Sequence, residues 1–358
     1  MRIAITHPYS WPDVRRGAER IIVESSRALA ARGHDVTILT SGGAASRRRA
    51  GGVRTIRYRR LFPNGYRHEH WFGWRVLPAL VAGRFDVVHS YMPWDALSSI
   101  RAARVTGHRT VYQELGNPIR SVVERRGDRP ARERVIDDID VFGCMSEFSR
   151  DHLERDYGRR GAIIPGGVRM TEFEPRPRHE QPTILFSGAI DRPEKRVREL
   201  LDGIALLVEH RSDVRVLLSG PGDATSVLEA APPIARERTT ALGVGETGDL
   251  AGLYASAWVT CLPTLTDSFG LVVVESLASG TPVLAGPEGA PREVVDDRVG
   301  AVAETLEPED IAQALDRALA LAHAPGTVDA CREVAARFDW DDAIAPLLEG
   351  LYRSTERL

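Results

Sequence analysis

Met1-Arg-Ile-Ala-Ile-Thr6, a breaker-rich loop His7-Pro-Tyr-Ser-Trp-Pro-Asp-Val-Arg-Arg-Gly17, a helical stripe of Ile21, Ile22, Ser25 and Leu29, and then Asp35-Val-Thr-Ile-Leu-Thr40 open the chain. The apolar period changes from that of a strand to that of a helix and back. Gly33 stands where a helix ends in a left-handed glycine. This is a β-α-β unit, and such a unit implies a parallel sheet. Short β-rich runs recur at Asp86-Val-Val-His89, Thr110-Val-Tyr112, Val141-Phe-Gly-Cys144 and Ala162-Ile-Ile164. A Pro- and charge-rich stretch, Glu174-Pro-Arg-Pro-Arg-His-Glu-Gln-Pro182, then breaks the pattern and reads as a linker. Beyond it the alternation restarts: strands at 183–186, 214–218, 258–262 and 282–285, helices at 197–209, 250–257, 272–279 and 308–322, and a last helical pattern at 340–352. The expectation is an α/β protein of two Rossmann-like domains facing a cleft, residues 1–176 and 177–337. A final helix, 338–358, is expected to cross back to the first domain. In such sheets ligands sit outside the carboxyl ends of the strands.

The 358 residues, 43% hydrophobic and 27% charged, suffice for two cores and exclude a disordered chain, a collagen-like repeat or a disulfide-stapled miniprotein. Cys144, Cys261 and Cys331 lie far apart without CxxC spacing, which points to free buried thiols in a reducing compartment. No apolar run reaches the roughly 18–20 residues of a transmembrane helix. The strand pattern starts at once, so a secretion signal is not expected and a cytoplasmic location is. Residues 1–180 hold 32 arginines against 21 acids, a net +11, and residues 181–358 hold 15 basic against 29 acidic residues, a net −14. A basic half suits phosphates, nucleic acid or an anionic membrane. Opposite fields equally help two halves associate. Lys195 is the only lysine.

The stretch with most chemical content is Leu262-Pro-Thr-Leu-Thr-Asp-Ser-Phe-Gly-Leu-Val-Val-Val-Glu-Ser-Leu-Ala-Ser-Gly-Thr-Pro-Val-Leu-Ala285. A strand runs into the loop Asp267-Ser-Phe-Gly270, and a helix begins there. A helix start has unpaired N–H groups and partial positive charge, a seat for a diphosphate. Asp267 and Glu275 flank that seat, and carboxylates accept hydrogen bonds from vicinal hydroxyls. A capped helix with an acidic first turn fits the same residues.

Asp267, Phe269, Gly270, Glu275 and Gly280-Thr-Pro-Val283 resemble the signature of the retaining glycosyltransferase family 4, which has the GT-B fold. Two positions depart, Asp267 from the usual Glu and Ser268 from the usual Gly. The resemblance runs nearly the whole chain, through Arg16-Gly17-Ala-Glu-Arg20, Gly33-His-Asp-Val36, Asp86-Val-Val-His89, Ser146-Glu147, Gly167-Val168, Gly220-Pro-Gly222 and Phe338-Asp-Trp340. It implies a nucleotide-sugar donor, UDP-, GDP- or dTDP-linked, held by the C-terminal domain. No carboxylate-rich or histidine cluster has metal-ligand spacing, so a metal cofactor is not expected. Glu275 would take the ribose and Asp267 the transferred sugar. Ser268 and the N–H groups of Phe269, Gly270 and Leu271 would meet the sugar and diphosphate, and the loop at Gly243-Val-Gly245 the base. The family's basic pair is incomplete in Gly188-Ala-Ile-Asp-Arg-Pro-Glu-Lys195: Ala189 replaces an Arg, and Lys195 matches the second cation, whose charge offsets that of the leaving diphosphate. Arg192, Arg15 or Arg16 is expected to compensate. A solvated lysine at a helix start is the plain alternative. Gly17, in the family's glycine-rich turn, would approach the diphosphate, although Arg16 replaces the first glycine.

On the acceptor side, Thr110-Val-Tyr-Gln-Glu-Leu-Gly116 puts Gln113 or Glu114 where relatives carry a His. Retaining transfer on this fold is pictured as front-face attack, the leaving phosphate taking the proton, so no protein base is required. His89 matches a family histidine near the cleft and is assigned a catalytic or acceptor contact; a structural histidine is the alternative. Tyr9, Trp11 and Trp94 are acceptor candidates by ring stacking, or packed loop anchors. Arg57-Tyr-Arg-Arg-Leu-Phe-Pro-Asn-Gly-Tyr-Arg-His-Glu-His-Trp-Phe-Gly-Trp-Arg75 mixes arginine with aromatics. Pro63 and Gly65 break any long amphipathic helix there. An acceptor lid is the first expectation, and peripheral contact with an anionic membrane through the basic domain the second. The resulting expectation is a cytoplasmic, metal-independent, retaining glycosyltransferase acting on a small-molecule, saccharide or lipid acceptor, with no nucleic-acid partner. A nucleotide-sugar epimerase, an inverting transferase or a non-catalytic sugar-nucleotide-binding module are the rivals.

Overall fold

The computed structural model describes all residues except Pro12, Arg15, Arg16 and 244–248. The chain divides into two compact units. Unit 1 is Met1–Gly166 with Trp340–Leu358, and unit 2 is Gly167–Asp339.

Unit 1 is built on strands β1 (Arg2–Thr6), β2 (Asp35–Gly42), β3 (Ser46–Ala50), β4 (Val53–Arg59), β5 (Val87–Ser90), β6 (Arg109–Gln113), β7 (Val141–Cys144) and β8 (Ala162–Ile163). They form one sheet in the order β3-β4-β2-β1-β5-β6-β7-β8. All neighbours are parallel except β3 and β4. Strands such as Val87–Ser90 are buried along their whole length, as expected when helices cover both faces of a parallel sheet. The antiparallel β3 went unforeseen because Arg47-Arg-Arg49 lacks β-rich composition. The turn decides it: Gly51 and Gly52 have φ of 55° and 78°, the left-handed pair that a two-residue hairpin needs.

Unit 2 carries β9 (Thr183–Ser187), β10 (Arg215–Ser219), β11 (Thr239–Leu242), β12 (Val259–Leu262), β13 (Val283–Ala285) and β14 (Gly300–Val302). Their order is β11-β10-β9-β12-β13-β14, all parallel. The helix Val197–Val208 shows why the sequence folds this way: Val197, Leu200, Leu201, Ile204, Leu207 and Val208 lie on one face and all enter the core. Each such side chain contributes roughly 1.5–3 kcal/mol on burial.

The division between units falls at Gly166 and Gly167, ten residues before the expected boundary. Residues 167–176 pack into unit 2. Phe173 is buried 6.1 Å from the Tyr254 ring, and Arg332 Nη1 donates to its carbonyl at 3.0 Å. The C-terminal segment opens with a π-helical turn, Trp340–Ile344, before the α-helix Ala345–Arg353. The Arg57–Arg75 segment also differs from expectation. Gly65 is the N-cap of a 17-residue helix, Tyr66–Ala82, which continues through Pro78.

Candidate active site

In unit 2 the strands advance in one direction from β9 to β11 and in the other from β12 to β14. The reversal lies between β9 and β12, and the crevice at their carboxyl ends is where such sheets bind ligands. Both lead residues of the sequence reading arrive there. Lys195 ends a 3₁₀ turn, Pro193–Lys195, after β9. Asp267 lies in the loop after β12. Their charged ends meet: Lys195 Nζ donates to Asp267 Oδ1 and Oδ2, both at 2.7 Å. The two side chains are 23% and 22% exposed, so the pair borders solvent and a ligand has access to it. Thr264, fully buried, ties the two loops by donating from Oγ1 to Glu194 O at 2.9 Å.

The loop's far end sets the helix. Phe269 is buried against Phe338, 5.4 Å between centroids and edge-on. Gly270 has φ 81° and ψ 70°, and no side chain caps the helix Leu271–Ala278 that follows. A Cβ on Gly270 would stand 3.0 Å from Leu262 Cδ2 and 3.1 Å from Pro291 Cγ. The left-handed conformation favours glycine, and a Cβ would press on both neighbours. Ser268 and Leu271 are half-buried beside it, and Glu275 is buried one turn into the helix. Arg192 does not join this group. It is exposed, 3.7 Å from Glu194, in a hollow of about 280 Å³ whose lining includes neither Lys195 nor Asp267. Arg15, Arg16 and Gly245 lie outside the described residues. Gly17 is the first residue of the helix Gly17–Ala31.

Unit 1 has its own reversal, between β1 and β5, and a cavity of about 550 Å³ lies at that end of the sheet. On one wall Tyr9 Oη donates to Glu69 Oε1 at 2.9 Å and accepts from Gly65 N at 3.0 Å. Burial pushes the Glu69 carboxyl above its ordinary range. On the other wall Tyr112 Oη donates to Glu114 Oε2 at 2.8 Å, and Arg132 pairs with both Glu114 and Asp128. Burial pushes the Tyr112 phenol up to about 12 and raises the Asp128 carboxyl. Arg126 stands exposed on the rim. Of the acceptor candidates, Tyr9 and Glu114 line this cavity; Asn64, Gly65 and Glu69 bring the Arg57–Arg75 segment to it.

The other candidates stand elsewhere. His89 is wholly buried inside the fold; Tyr352 Oη bonds its Nδ1 at 2.7 Å, and the Tyr91 ring stacks on it at 4.5 Å. Burial lowers its pKa to about 3, so it is neutral. It lies outside the cavity lining, held against the C-terminal helix by Tyr352, the position expected of the structural alternative. Gln113 is equally occupied, its Nε2 donating to Ile164 O at 2.7 Å. Trp94 packs among Tyr66 and His70, with centroids at 5.7 and 4.4 Å, away from the cavity lining. Trp11 is exposed and also absent from that lining. Glu69, Tyr112, Asp128 and Arg132 went unnoticed in the sequence. The Asp128–Arg132 spacing of four residues on one helix was the available signal.

Among the described residues, no group of three or more His, Cys, Asp or Glu is placed to hold a metal ion. No helix among them is long and apolar enough to cross a membrane.

Two Rossmann-like parallel-sheet units, the second with a cation–carboxylate pair at its strand-order reversal, are the architecture of the GT-B fold. Residues 15–172 match the family model described as Glycosyltransferase Family 4, and residues 181–320 that described as Glycosyl transferases group 1. The chain belongs to glycosyltransferase family 4. It is 30% identical to the phosphatidyl-myo-inositol mannosyltransferase of Mycobacterium leprae over 95% of this chain and 93% of that one. It is 28% identical to a GDP-mannose-dependent alpha-(1-6)-phosphatidylinositol dimannoside mannosyltransferase of Mycobacterium tuberculosis, over 94% and 93%. Among solved structures it resembles sucrose-phosphate synthase of Thermosynechococcus elongatus, with TM-score 0.79 and 21% identity over 98% of each chain. Anabaena HepE in complex with UDP and glucose superposes with TM-score 0.74 and 15% identity, over 99% of this chain and all of that one.

Proposed function

We propose that the protein transfers a hexosyl group, with retention of anomeric configuration and without a metal, from a nucleoside-diphosphate sugar to a hydroxyl of a lipid or saccharide acceptor. Mannose on GDP is the first donor to test and an inositol phospholipid the first acceptor, because these stand in the names of the relatives. One observation carries the reading: Lys195 and Asp267, 72 positions apart in sequence, meet at the strand-order reversal of unit 2, beside the glycine-started helix Leu271–Ala278.

In this reading the diphosphate lies against the N–H groups of Phe269, Gly270 and Leu271 at the helix start. Lys195 meets the charge that grows on the leaving phosphate, the task a metal would otherwise serve. Ser268 and Asp267 hold the sugar, the carboxylate sharing Lys195 with the phosphate. Glu275 takes the ribose hydroxyls. The bond from the anomeric carbon to the phosphate oxygen breaks, the acceptor oxygen bonds to that carbon on the same face, and the acceptor's proton passes to the departing phosphate. Glu114 then has no need to act as a base; its bonds to Tyr112, Gly116 and Arg132 suit it to a fixed acceptor of hydroxyl hydrogen bonds. The unit 1 cavity, with Tyr9 and Glu69 facing Glu114, takes the acceptor's head.

The test is turnover of GDP-mannose with an inositol phospholipid, with UDP- and dTDP-sugars in parallel. Lys195→Ala is expected to lower kcat by roughly 10²–10³-fold, the loss typical of one charge-stabilising group. Product NMR is expected to show the donor's anomeric configuration, and a chelator to leave the rate unchanged. An unaltered kcat in Lys195→Ala contradicts the reading.

A further inference from the structure

The turn that carries Lys195 is left-handed at a residue that is not glycine. Arg196 has φ 55° and ψ 35°. Among the described residues, Arg84 is the one other non-glycine with such a φ. Arg84 follows a helix, where a left-handed exit is common. Arg196 precedes one, Val197–Val208, where the backbone is normally extended. In this conformation the Cβ crowds the following carbonyl, and such strain persists only where the surroundings hold it.

Residues 191–194 are exposed, but Ile190 and Val197 on either side of the turn are buried in the core of unit 2. Asp191 Oδ2 accepts from Asp223 N at 3.1 Å. Lys195 N donates to Arg192 O at 2.9 Å, and Arg196 N to Pro193 O at 3.2 Å. The Arg196 guanidinium turns to its own helix, Nη1 donating to Glu199 Oε1 at 2.8 Å, so it is the backbone of Arg196 that bears on the lysine. The tie to the loop of Asp267 comes from Thr264, whose hydroxyl donates to Glu194 O, the carbonyl just before Lys195. Thr264 is itself closely packed: it is wholly buried, and a Cβ on Gly286 would stand 2.3 Å from its carbonyl oxygen. A lysine on an exposed turn has much rotamer freedom to lose. Its Nζ nevertheless meets both oxygens of Asp267.

We infer that Thr264 and the left-handed Arg196 are positioning residues for Lys195: the threonine fixes the place of the turn, and the handedness of Arg196 sets the direction in which the lysine leaves it, so that Nζ is held on Asp267. A cation fixed in place needs no reorganisation when charge develops beside it. The consequence for turnover rests on the proposed function, in which Lys195 meets the leaving phosphate; the placement of Lys195 does not.

The test uses the full-length protein grown with lysine labelled with ¹³C at Cε. Lys195 is the only lysine, so one side-chain NMR signal reports on it. Thr264→Val and Arg196→Val are expected to lower its order parameter by about a third or more, the gap between a rigid and a flexible group. Valine offers no hydroxyl at 264 and resists the left-handed region at 196. Thr264→Ser keeps the hydroxyl and Arg196→Gly the handedness, and both are expected to keep the wild-type signal. The variants should melt within a few degrees of wild type. In turnover the two valine variants are expected to lose roughly 10- to 10²-fold in kcat, the cost of misplacing a reacting group by up to about an ångström. A wild-type signal in either valine variant, or a loss in Arg196→Gly as large as in Arg196→Val, overturns the inference. A loosened Lys195 with undiminished kcat supports the placement and contradicts the proposed function, so the two failures are told apart.

Discussion

Lys195 and Asp267 owe their meeting to chain topology rather than to proximity in sequence, and at this scale each side chain is set by what surrounds it. Asp95 is the clearest case. It is 1% exposed near the start of the helix Pro93–Thr106, hydrogen-bonded to the hydroxyl of Thr6. Burial raises its carboxyl to about 8. Between the ordinary value near 4 and 8 the folded chain therefore holds a proton that the unfolded chain has released, and stability falls as pH rises through that window. Asp95→Asn removes the titration. Its melting temperature relative to wild type should climb steadily from pH 4 to pH 8; a constant difference across that range contradicts a protonated Asp95. The residues that were legible beforehand were those in spaced motifs, Asp267, Gly270 and Glu275. Tyr9 and Glu114 were named as acceptor candidates, but their partners Glu69, 60 positions from Tyr9, and Arg132 were not, since ion pairs and hydrogen bonds across such distances follow no period. His89 shows the opposite failure: a motif match located the strand but not the direction of the ring, which the C-terminal helix decides through Tyr352.

Among elements, those with an apolar period were readable and those fixed by backbone geometry or tertiary contact were not. Val197–Val208 and Pro308–Leu321 follow their stripes. The hairpin of β3 and β4 follows two left-handed glycines and an arginine-rich strand. The helix Ala345–Arg353 depends on a contact no local pattern contains: Glu349 accepts from Arg32 Nε at 2.9 Å and meets His34 Nε2 at 2.8 Å, joining it to the end of the first helix and the chain beyond. The hydrogen bond from Arg32, with His34 adding to it, lowers the Glu349 carboxyl to about 2. A lowered acid stabilises the fold above its unfolded value near 4.5 and loses that contribution as pH falls toward 2. Glu349→Gln should melt below wild type at pH 7, and the difference should shrink progressively as pH is lowered from about 4.5 through 2. A difference that stays constant across that range contradicts the ionic origin of this contact.

For the whole molecule, the same solution appears twice. Each unit starts its sheet in the middle, winds outward in one direction, returns, and winds outward in the other. Each leaves its chemistry at the carboxyl ends of the two strands flanking that return: β1 and β5 in unit 1, β9 and β12 in unit 2. The repeat of strand and helix patterns made this architecture legible. The place of division was not, because Phe173 and its neighbours are held by side-chain packing beyond any local composition. The proposed donor seat in unit 2 lies between Lys195 and the start of the helix Leu271–Ala278. A crystal structure grown with GDP-mannose tests it. Diphosphate oxygens are expected to be hydrogen-bonded to Lys195 Nζ and to the N–H groups of Gly270 and Leu271, with the sugar hydroxyls on Asp267. A nucleotide bound anywhere else, with Lys195 and Asp267 still closed on each other, would contradict it.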